Sequence, residues 1–201
     1  MQEENFSPQE SLQLIQSMIA KTRKDMGDNS IHFLLWGWTT FIACTGQFIL
    51  KNVLEYKHHY IVWLLIFPTV VAAVYLGIKQ GKKKEATTYI GESMKHLWIG
   101  MGISFFVLSM ILTKMGWQTN IFPFFILLYG LGTFISGQFL QFKPLIIGGS
   151  IAWVLAIASA YVSYDYQMLF GAAAILFSYI IPAYMLRSKN KSIAKSSTTG
   201  R

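Results

Sequence analysis

The sequence has few charged residues and only one cysteine. Charged residues make up 13% of its 201 positions, whereas soluble domains contain about 25%. A single cysteine excludes an internal disulfide and any four-cysteine zinc or iron–sulfur centre. The low charge, a hydrophobic content of 53% and a mean hydropathy of +0.42 together argue against a soluble globular protein.

The short motifs of several enzyme classes are also absent from the sequence. It contains no His-Glu-x-x-His zinc motif, no Walker A phosphate loop and no Gly-x-Ser-x-Gly nucleophile turn. Its long apolar runs carry no Lys, Arg, Asp or Glu, the residues that mark proton relays and ion pathways inside membranes. These absences predict a protein that is not an enzyme and that binds no cofactor.

Six apolar runs of 18 to 20 residues are present, each long enough to cross a lipid bilayer as a helix. The sequence therefore predicts an all-α integral membrane domain of six transmembrane helices over residues 31–186. A cytoplasmic segment, 1–30, precedes this domain, and a basic tail, 187–201, follows it. The six predicted spans are residues 31–50, 60–78, 96–113, 121–140, 145–163 and 167–186.

Basic residues lie mostly on one side of the predicted spans. With a cytoplasmic N-terminus, 14 of the 17 Lys and Arg residues fall in cytoplasmic segments, as the positive-inside rule requires. Both termini are therefore predicted to be cytoplasmic. Because topology and an anionic inner leaflet explain the net charge of +8, no nucleic-acid partner is expected. In the loop 79–95, Lys82, Lys83 and Lys84 either anchor the topology or bind an anionic lipid headgroup.

An amphipathic helix is predicted before the first span. Ser7-Pro8-Gln9-Glu10 has the pattern of a capping box with proline at the first helical position. Gly27-Asp28-Asn29-Ser30 ends this helix. One arc of its surface carries six residues, most of them apolar: Leu12, Ile15, Met18, Ile19, Thr22 and Met26. This face either rests on the inner leaflet of the bilayer or docks a cytoplasmic protein partner.

Small residues recur at helical spacing in the last two predicted spans. Such faces let helix backbones approach closely inside a membrane. Spans five and six are therefore expected to pack against each other, with a homodimer interface as the alternative. The small residues are Gly148, Ala152, Ala156 and Ala160 in span five, and Gly171, Ala174 and Ser178 in span six.

Spans one and four contain similar segments, which are identical at six of the ten positions of 33–42 and 126–135. Spans three apart cross a membrane in opposite directions, so the match predicts a 3+3 inverted repeat, a plan found in transporters. In a channel of this kind, a polar cavity near the midplane would be lined by Gly37, Thr40, Gly130 and Thr133. Gln47 and Gln138 also lie within the spans, and each would either hydrogen-bond a neighbouring helix or contact a solute.

A polar cluster is predicted at the cytoplasmic ends of spans one and three. Glu92 and His96 are one helical turn apart, and His32 opens span one on the same side. Imidazole and carboxylate groups could together bind a divalent metal or respond to protonation. Polar residues at span ends are nevertheless ordinary, and the sequence gives no stronger reason to assign a metal site there.

Two stretches of the sequence resemble uncharacterised six-helix inner-membrane proteins that are common in Bacteroidota. The first combines Glu10-Ser11-Leu12 with Phe33-Leu34-Leu35-Trp36-Gly37-Trp38, and the second is Phe142-Lys143-Pro144-Leu145-Ile146-Ile147-Gly148-Gly149. The resemblance implies a location in a bacterial inner membrane and assigns no activity to any residue.

Three functional classes are compatible with these features. The first is a non-enzymatic membrane component that senses a signal or docks a partner through its amphipathic helix and Lys-rich loop. The second is a small-solute channel or transporter built on the inverted repeat. The third is a membrane enzyme, which would need convergent polar groups that the sequence does not show. The missing catalytic motifs and the developed cytoplasmic face favour the first class.

Overall fold

A computed structural model describes residues 7–28, 31–81, 89–115 and 121–188. All regular secondary structure in this part of the chain is helical. The described residues form seven α-helices, a 3₁₀ segment, His59–Leu65, and a π segment, Leu176–Ile180, after which helix continues to Ser188. The α-helices are α1 (Pro8–Asp28), α2 (Ile31–Asn52), α3 (Ile66–Gly81), α4 (Tyr89–Met115), α5 (Phe122–Phe139), α6 (Lys143–Ala160) and α7 (Tyr164–Ile175).

Within the described residues, five helical stretches are long and apolar enough to cross a membrane. This confirms the expectation of an all-α fold with several helices that have the length and composition of membrane spans. The first predicted span, now α2, has 22 residues but is not among the five, so the six-span arrangement stays a prediction. The five stretches are His59–Lys79, Tyr89–Met115, Phe122–Phe139, Lys143–Ala160 and Tyr164–Ser188.

Two of these stretches differ in detail from the predicted spans. The stretch expected over 60–78 opens as 3₁₀ helix and becomes α-helical only at Ile66. Pro68 therefore lies in the first turn of α3, directly after the 3₁₀ segment. The helix α4 extends beyond 96–113 at both ends, because helical hydrogen bonding continues into flanks where hydropathy falls.

The amphipathic helix α1 begins with the predicted capping box. The Ser7 backbone N–H donates to Glu10 Oε2 at 2.8 Å, and the Glu10 N–H donates to Ser7 Oγ at 3.2 Å. The hydrogen bond from the Ser7 backbone lowers the pKa of the Glu10 carboxyl, because it stabilises the ionised form. The helix ends at Asp28, within the predicted terminating segment.

The helices α5 and α6 form the closest pair in the bundle. A Cβ atom added at Gly149 of α6 would lie 2.7 Å from the Phe134 backbone nitrogen of α5. At Gly137 of α5, an added Cβ would lie 2.7 Å from the Ile146 nitrogen of α6. Only glycine allows backbones to approach this closely, and such contacts hold helices together where lipid supplies no hydrophobic driving force.

The π segment lies between two further glycines. A Cβ at Gly148 of α6 would lie 2.7 Å from Ser178 Cα, and one at Gly37 of α2 would lie 2.9 Å from Ile180 Cγ1. Pro182 follows the segment, and its missing N–H deprives a carbonyl of the preceding turn of its α-helical donor. Before it, the Ile181 N–H donates to the Leu176 carbonyl five residues earlier, so the helix widens locally.

The helices α3 and α4 lie at the periphery of the bundle. The main neighbours of α3 are α2 and the 3₁₀ segment, and those of α4 are α5 and α1. Both helices expose large apolar side chains, with Phe67 69% exposed on α3 and Phe106 64% exposed on α4. Faces of this kind are expected where a helix contacts lipid.

We expect the substitution Gly148→Ala to destabilise the protein. The new Cβ would meet backbone atoms of Phe177 and Ser178 at 2.9 Å or less, so the two helices must separate. Overpacking of this kind costs about 1–3 kcal/mol, and the midpoint of thermal unfolding in detergent should fall. Gly77→Ala in α3 is the matched control, because no heavy atom lies within 4 Å of the added Cβ. Equal midpoints for the two variants would contradict the packing described for Gly148.

Candidate functional site

The most concentrated group of polar side chains lies where α2 ends, the 3₁₀ segment begins and α7 begins. At its centre is Gln47 of α2, which is 2% exposed. Its amide oxygen accepts a hydrogen bond from Trp63 Nε1 at 2.7 Å. Its amide nitrogen lies 3.2 Å from His59 Nδ1 and 3.5 Å from the Tyr164 hydroxyl. One side chain thus links all three elements, and we call these four residues the Gln47 network.

The chemistry of Trp63 determines how the Gln47 amide is oriented. An indole N–H can only donate a hydrogen bond, so the group that faces it at 2.7 Å must be the amide oxygen. The amide nitrogen, which carries two hydrogens, then faces His59 and Tyr164. His59 Nδ1 must accept a hydrogen bond from this nitrogen, which means that Nδ1 carries no proton.

An ion pair lies beside the Gln47 network. Lys51, one helical turn after Gln47 on α2, pairs with Asp165 at the start of α7. The Lys51 ammonium also lies 4.7 Å from the centre of the Tyr164 ring, a cation–π geometry. The Lys51 and Asp165 side chains are 32% and 37% exposed, so the pair is only partly buried and lies on the outward side of the network.

Apolar packing supports the Gln47 network from inside the bundle. The Tyr164 and Phe122 rings are 5.8 Å apart, and the Phe48 and Tyr166 rings are 6.2 Å apart. Two helical turns after Tyr164, a Cβ atom added at Gly171 would lie 3.3 Å from the Phe122 ring and 3.4 Å from the thiol of the buried Cys44. The network therefore lies between a packed core and one end of the bundle, where α2 ends and α7 begins.

Two of the residues predicted to line a midplane cavity, Gly37 and Gly130, contact neighbouring helices. Gly37 faces Tyr179 and Ile180, and Gly130 faces Trp153 and Ala152. Thr133 is fully buried, and its hydroxyl donates to the carbonyl one turn earlier in its own helix, at 2.9 Å. Thr40 is half-buried in α2. These contacts do not bring the four residues together around a common centre.

The two glutamines matched by the predicted repeat have different surroundings. Gln47 is buried in the network described above, whereas Gln138 is exposed near the end of α5. Gly37 and Gly130, which also correspond in the repeat, contact unrelated partners. The inverted repeat therefore stays a prediction from the sequence.

The predicted cytoplasmic cluster is only partly described. His96 Nδ1 donates to the Glu92 backbone carbonyl at 3.0 Å, and both side chains are exposed. The His32 side chain and Lys82, Lys83 and Lys84 lie outside the described part of the chain. Within the part that is described, no three His, Cys, Asp or Glu residues are grouped so that they could hold a metal ion.

The small residues of the last two spans contact more than one neighbour. Gly148 lies against Ser178, between α6 and the last span, but Gly171 faces Phe122 of α5 and Cys44 of α2. Ala152 lies against Gly130 of α5. Of the other three positions, Ala156 and Ala174 are buried and Ala160 is exposed.

Sequence reasoning missed two groups of residues. The first is the set of α5–α6 glycines, for which the seven-residue spacing of Gly130 and Gly137 was an available signal. The second is the set of partners of Gln47, which are His59, Trp63 and Tyr164, together with the adjacent ion pair. Its members flank predicted span ends on the same side, but nothing in the sequence indicates that these ends are neighbours.

The chain matches no protein-family model, no curated protein and no solved structure. Its class follows from its own features, which are five helices with the length and composition of membrane spans. These features are those of a helical membrane protein, in which a buried polar network is costly unless every member has a partner.

We expect Gln47→Leu to destabilise the protein by about 1–3 kcal/mol, the usual cost of leaving a buried donor without an acceptor. The variant removes the acceptor for Trp63 Nε1 and the donor to His59. Gln138→Leu is the control, because the side chain is exposed and changes at exposed positions are usually within about 0.5 kcal/mol. Unfolding by SDS in mixed micelles measures both. A Gln47→Leu protein as stable as the control would rule out a structural role for the network.

Proposed function

We propose that the chain is a six-span protein of a bacterial inner membrane, with α2 as the first span and both termini in the cytoplasm. The 22-residue length of α2 suffices for a crossing, and its close packing against α7 and the 3₁₀ segment supports a position inside the bundle. The excess of Lys and Arg on one side supports this orientation. The resemblance to Bacteroidota proteins supports the location.

Within this arrangement, we infer a non-enzymatic function, namely docking of a cytoplasmic partner through α1. The observation that carries the proposal is that the bundle covers only part of the amphipathic face of α1. Ile19 and Thr22 are 7% and 3% exposed, whereas Ile15 and Leu12, one and two turns before Ile19 on the same arc, are 51% and 57% exposed. The helix is thus attached at one end, where α1 contacts α4, and presents apolar side chains at the other.

The chemistry of α1 indicates which partner would fit. Leu12 and Ile15 have the i, i+3 spacing with which amphipathic helices insert into an apolar groove. The same helix carries an exposed Lys21 and, in its sequence, Arg23 and Lys24. The complementary surface is therefore an apolar groove with an acidic rim on a cytoplasmic protein.

The channel alternative has weaker support. It needs a polar cavity near the midplane, but Gly37 and Gly130 lie against side chains of other helices. Thr133, the third of the predicted lining residues, has its hydroxyl bonded to its own helix. Since each of these positions serves helix packing, the docking proposal is preferred.

Reporter fusions to the full chain test the six-span proposal. Six spans place both ends in the cytoplasm, whereas crossing by only the five apolar helices would place them on opposite sides. We expect a fluorescent protein that matures only in the cytoplasm to be bright at either terminus, and a phosphatase that is active only outside to be inactive at both. The same phosphatase inserted between residues 53 and 58, a predicted outer loop, should be active. Activity at one terminus would contradict the proposed topology.

An environment-sensitive fluorophore on α1 tests whether its apolar face is free to bind a protein. The label is attached to Leu12→Cys in a Cys44→Ala background, in nanodiscs of anionic lipid. We expect a water-like emission spectrum without partner, equal to that of a label at Gln13, which lies off the arc. A lipid-like spectrum at position 12 alone would show that the face rests on the leaflet, and would contradict docking.

Affinity purification from native membranes supplies the second part of this test. We expect a protein that co-purifies with the wild type to be lost from the Leu12→Gln/Ile15→Gln variant and retained by Gln13→Ala. A peptide of residues 7–28 should release the same protein from the wild type. Recovery that is indifferent to the double substitution would contradict docking through α1.

A further inference from the structure

The Gln47 network can form completely only while His59 is neutral. Trp63 determines that the Gln47 oxygen faces the indole, so the Gln47 nitrogen must face His59 Nδ1. In a protonated imidazole both ring nitrogens carry hydrogens and neither can accept. A proton on Nδ1 would therefore set two donors against each other across 3.2 Å.

No rotation of the Gln47 amide resolves this conflict. Turning the amide over would offer its oxygen to protonated His59, but it would then set its nitrogen against the Trp63 N–H at 2.7 Å. Either way one buried hydrogen bond of Gln47 is lost, and the loss falls on the contact between α2 and the 3₁₀ segment. A buried donor without a partner is strongly unfavourable.

Two charged groups act on His59, one from α2 and one from α7. The Lys51 ammonium, on α2, repels a proton on His59, and the Asp165 carboxylate, on α7, attracts it. These two charges are paired with each other. Tyr164 of α7 adds a hydroxyl on the far side of the Gln47 amide, and on the 3₁₀ segment itself the Tyr60 ring lies 5.9 Å from the His59 ring.

We propose that the Gln47–His59–Trp63 contact is an acid-sensitive latch, which holds the 3₁₀ segment on α2 while His59 is neutral and releases it when His59 is protonated. The element that release would affect is α3. It follows the 3₁₀ segment directly, and its main neighbours are that segment and α2. The Thr39–Thr69 hydroxyl pair, 2.9 Å apart, would remain as a link between α2 and α3 after the latch opens.

The latch goes beyond docking and does not depend on it. Only the side of the membrane on which acidity is sensed rests on the proposed topology, which places His59 on the outer face. Histidine is suited to this role because its charge changes between about pH 5 and 8. The latch would then respond to acidification of the external compartment.

The test is a pH titration of the full chain in nanodiscs by NMR, with ¹⁵N-labelled tryptophan and histidine. The Trp63 indole resonance is assigned by its loss in Trp63→Phe, and the His59 ring nitrogens by their loss in His59→Gln. In the wild type we expect unprotonated Nδ1 at neutral pH. On acidification the His59 and Trp63 signals should shift together, with one shared midpoint.

Two neighbouring histidine variants make the test specific. In His59→Gln the side-chain oxygen can accept from Gln47 at any pH, so the Trp63 resonance should become independent of pH. In His58→Gln, which changes an exposed histidine bonded to the Tyr60 hydroxyl, the Trp63 titration should persist with the wild-type midpoint. A pH-independent Trp63 signal in the wild type would overturn the proposal, and so would a titration that survives in His59→Gln. Loss of partner binding by α1 would leave these resonances unaffected, so the two proposals fail separately.

Discussion

Inside a bilayer there is no water to hydrogen-bond a backbone amide, a carbonyl or a side-chain hydroxyl, and every such group must find its partner within the protein. The chain satisfies its backbone by forming helices. Several hydroxyls follow the same rule: those of Ser109, Ser136 and Ser178 each donate to a carbonyl four residues earlier in the same helix. Gln47 cannot be satisfied in this way, and its partners come from two other elements. The polar network exists because a buried amide needs them.

The same absence of water removes the usual reason for helices to associate, since lipid is as apolar as leucine. Close contact between backbones takes its place, and it is available only at small residues. Gly137 and Gly149 bring α5 and α6 together in this way, and Gly148 does the same for α6 and the π segment. The widened turn before Pro182 also fits between neighbours because Gly37 and Gly148 leave room for it. The closest backbone contacts thus join α5, α6 and the last span, and α2 adds the buried Leu34 and Cys44 to the core.

The two sites for which functions are proposed lie at opposite ends of the protein. The apolar face of α1 would act at the cytoplasmic end, where only part of it is covered by the bundle. The Gln47 network lies where α2 passes into the 3₁₀ segment, at the proposed outer face. Between them lies α2, which carries Gln47 near its last turns and packs on both α7 and the π segment. Shifts of α3 after release of the latch would therefore occur against a helix that is itself held by the core.

The sequence by itself determined the features that depend on residues close together in the chain. The capping box of Ser7 and Glu10 and the apolar helices follow from local spacing and hydropathy, and they are present as expected. Which helices become neighbours was decided only by the tertiary structure. Gln47 and Gln138 are the same residue in similar local sequences, yet one is buried among three partners and the other is exposed. Gly77 and Gly149 likewise both lie within apolar segments of the sequence. Of these two, only Gly149 lies close to the backbone of another helix. Helical periodicity tells which residues share a face, whereas the partner of that face is set by contacts between segments far apart in the chain.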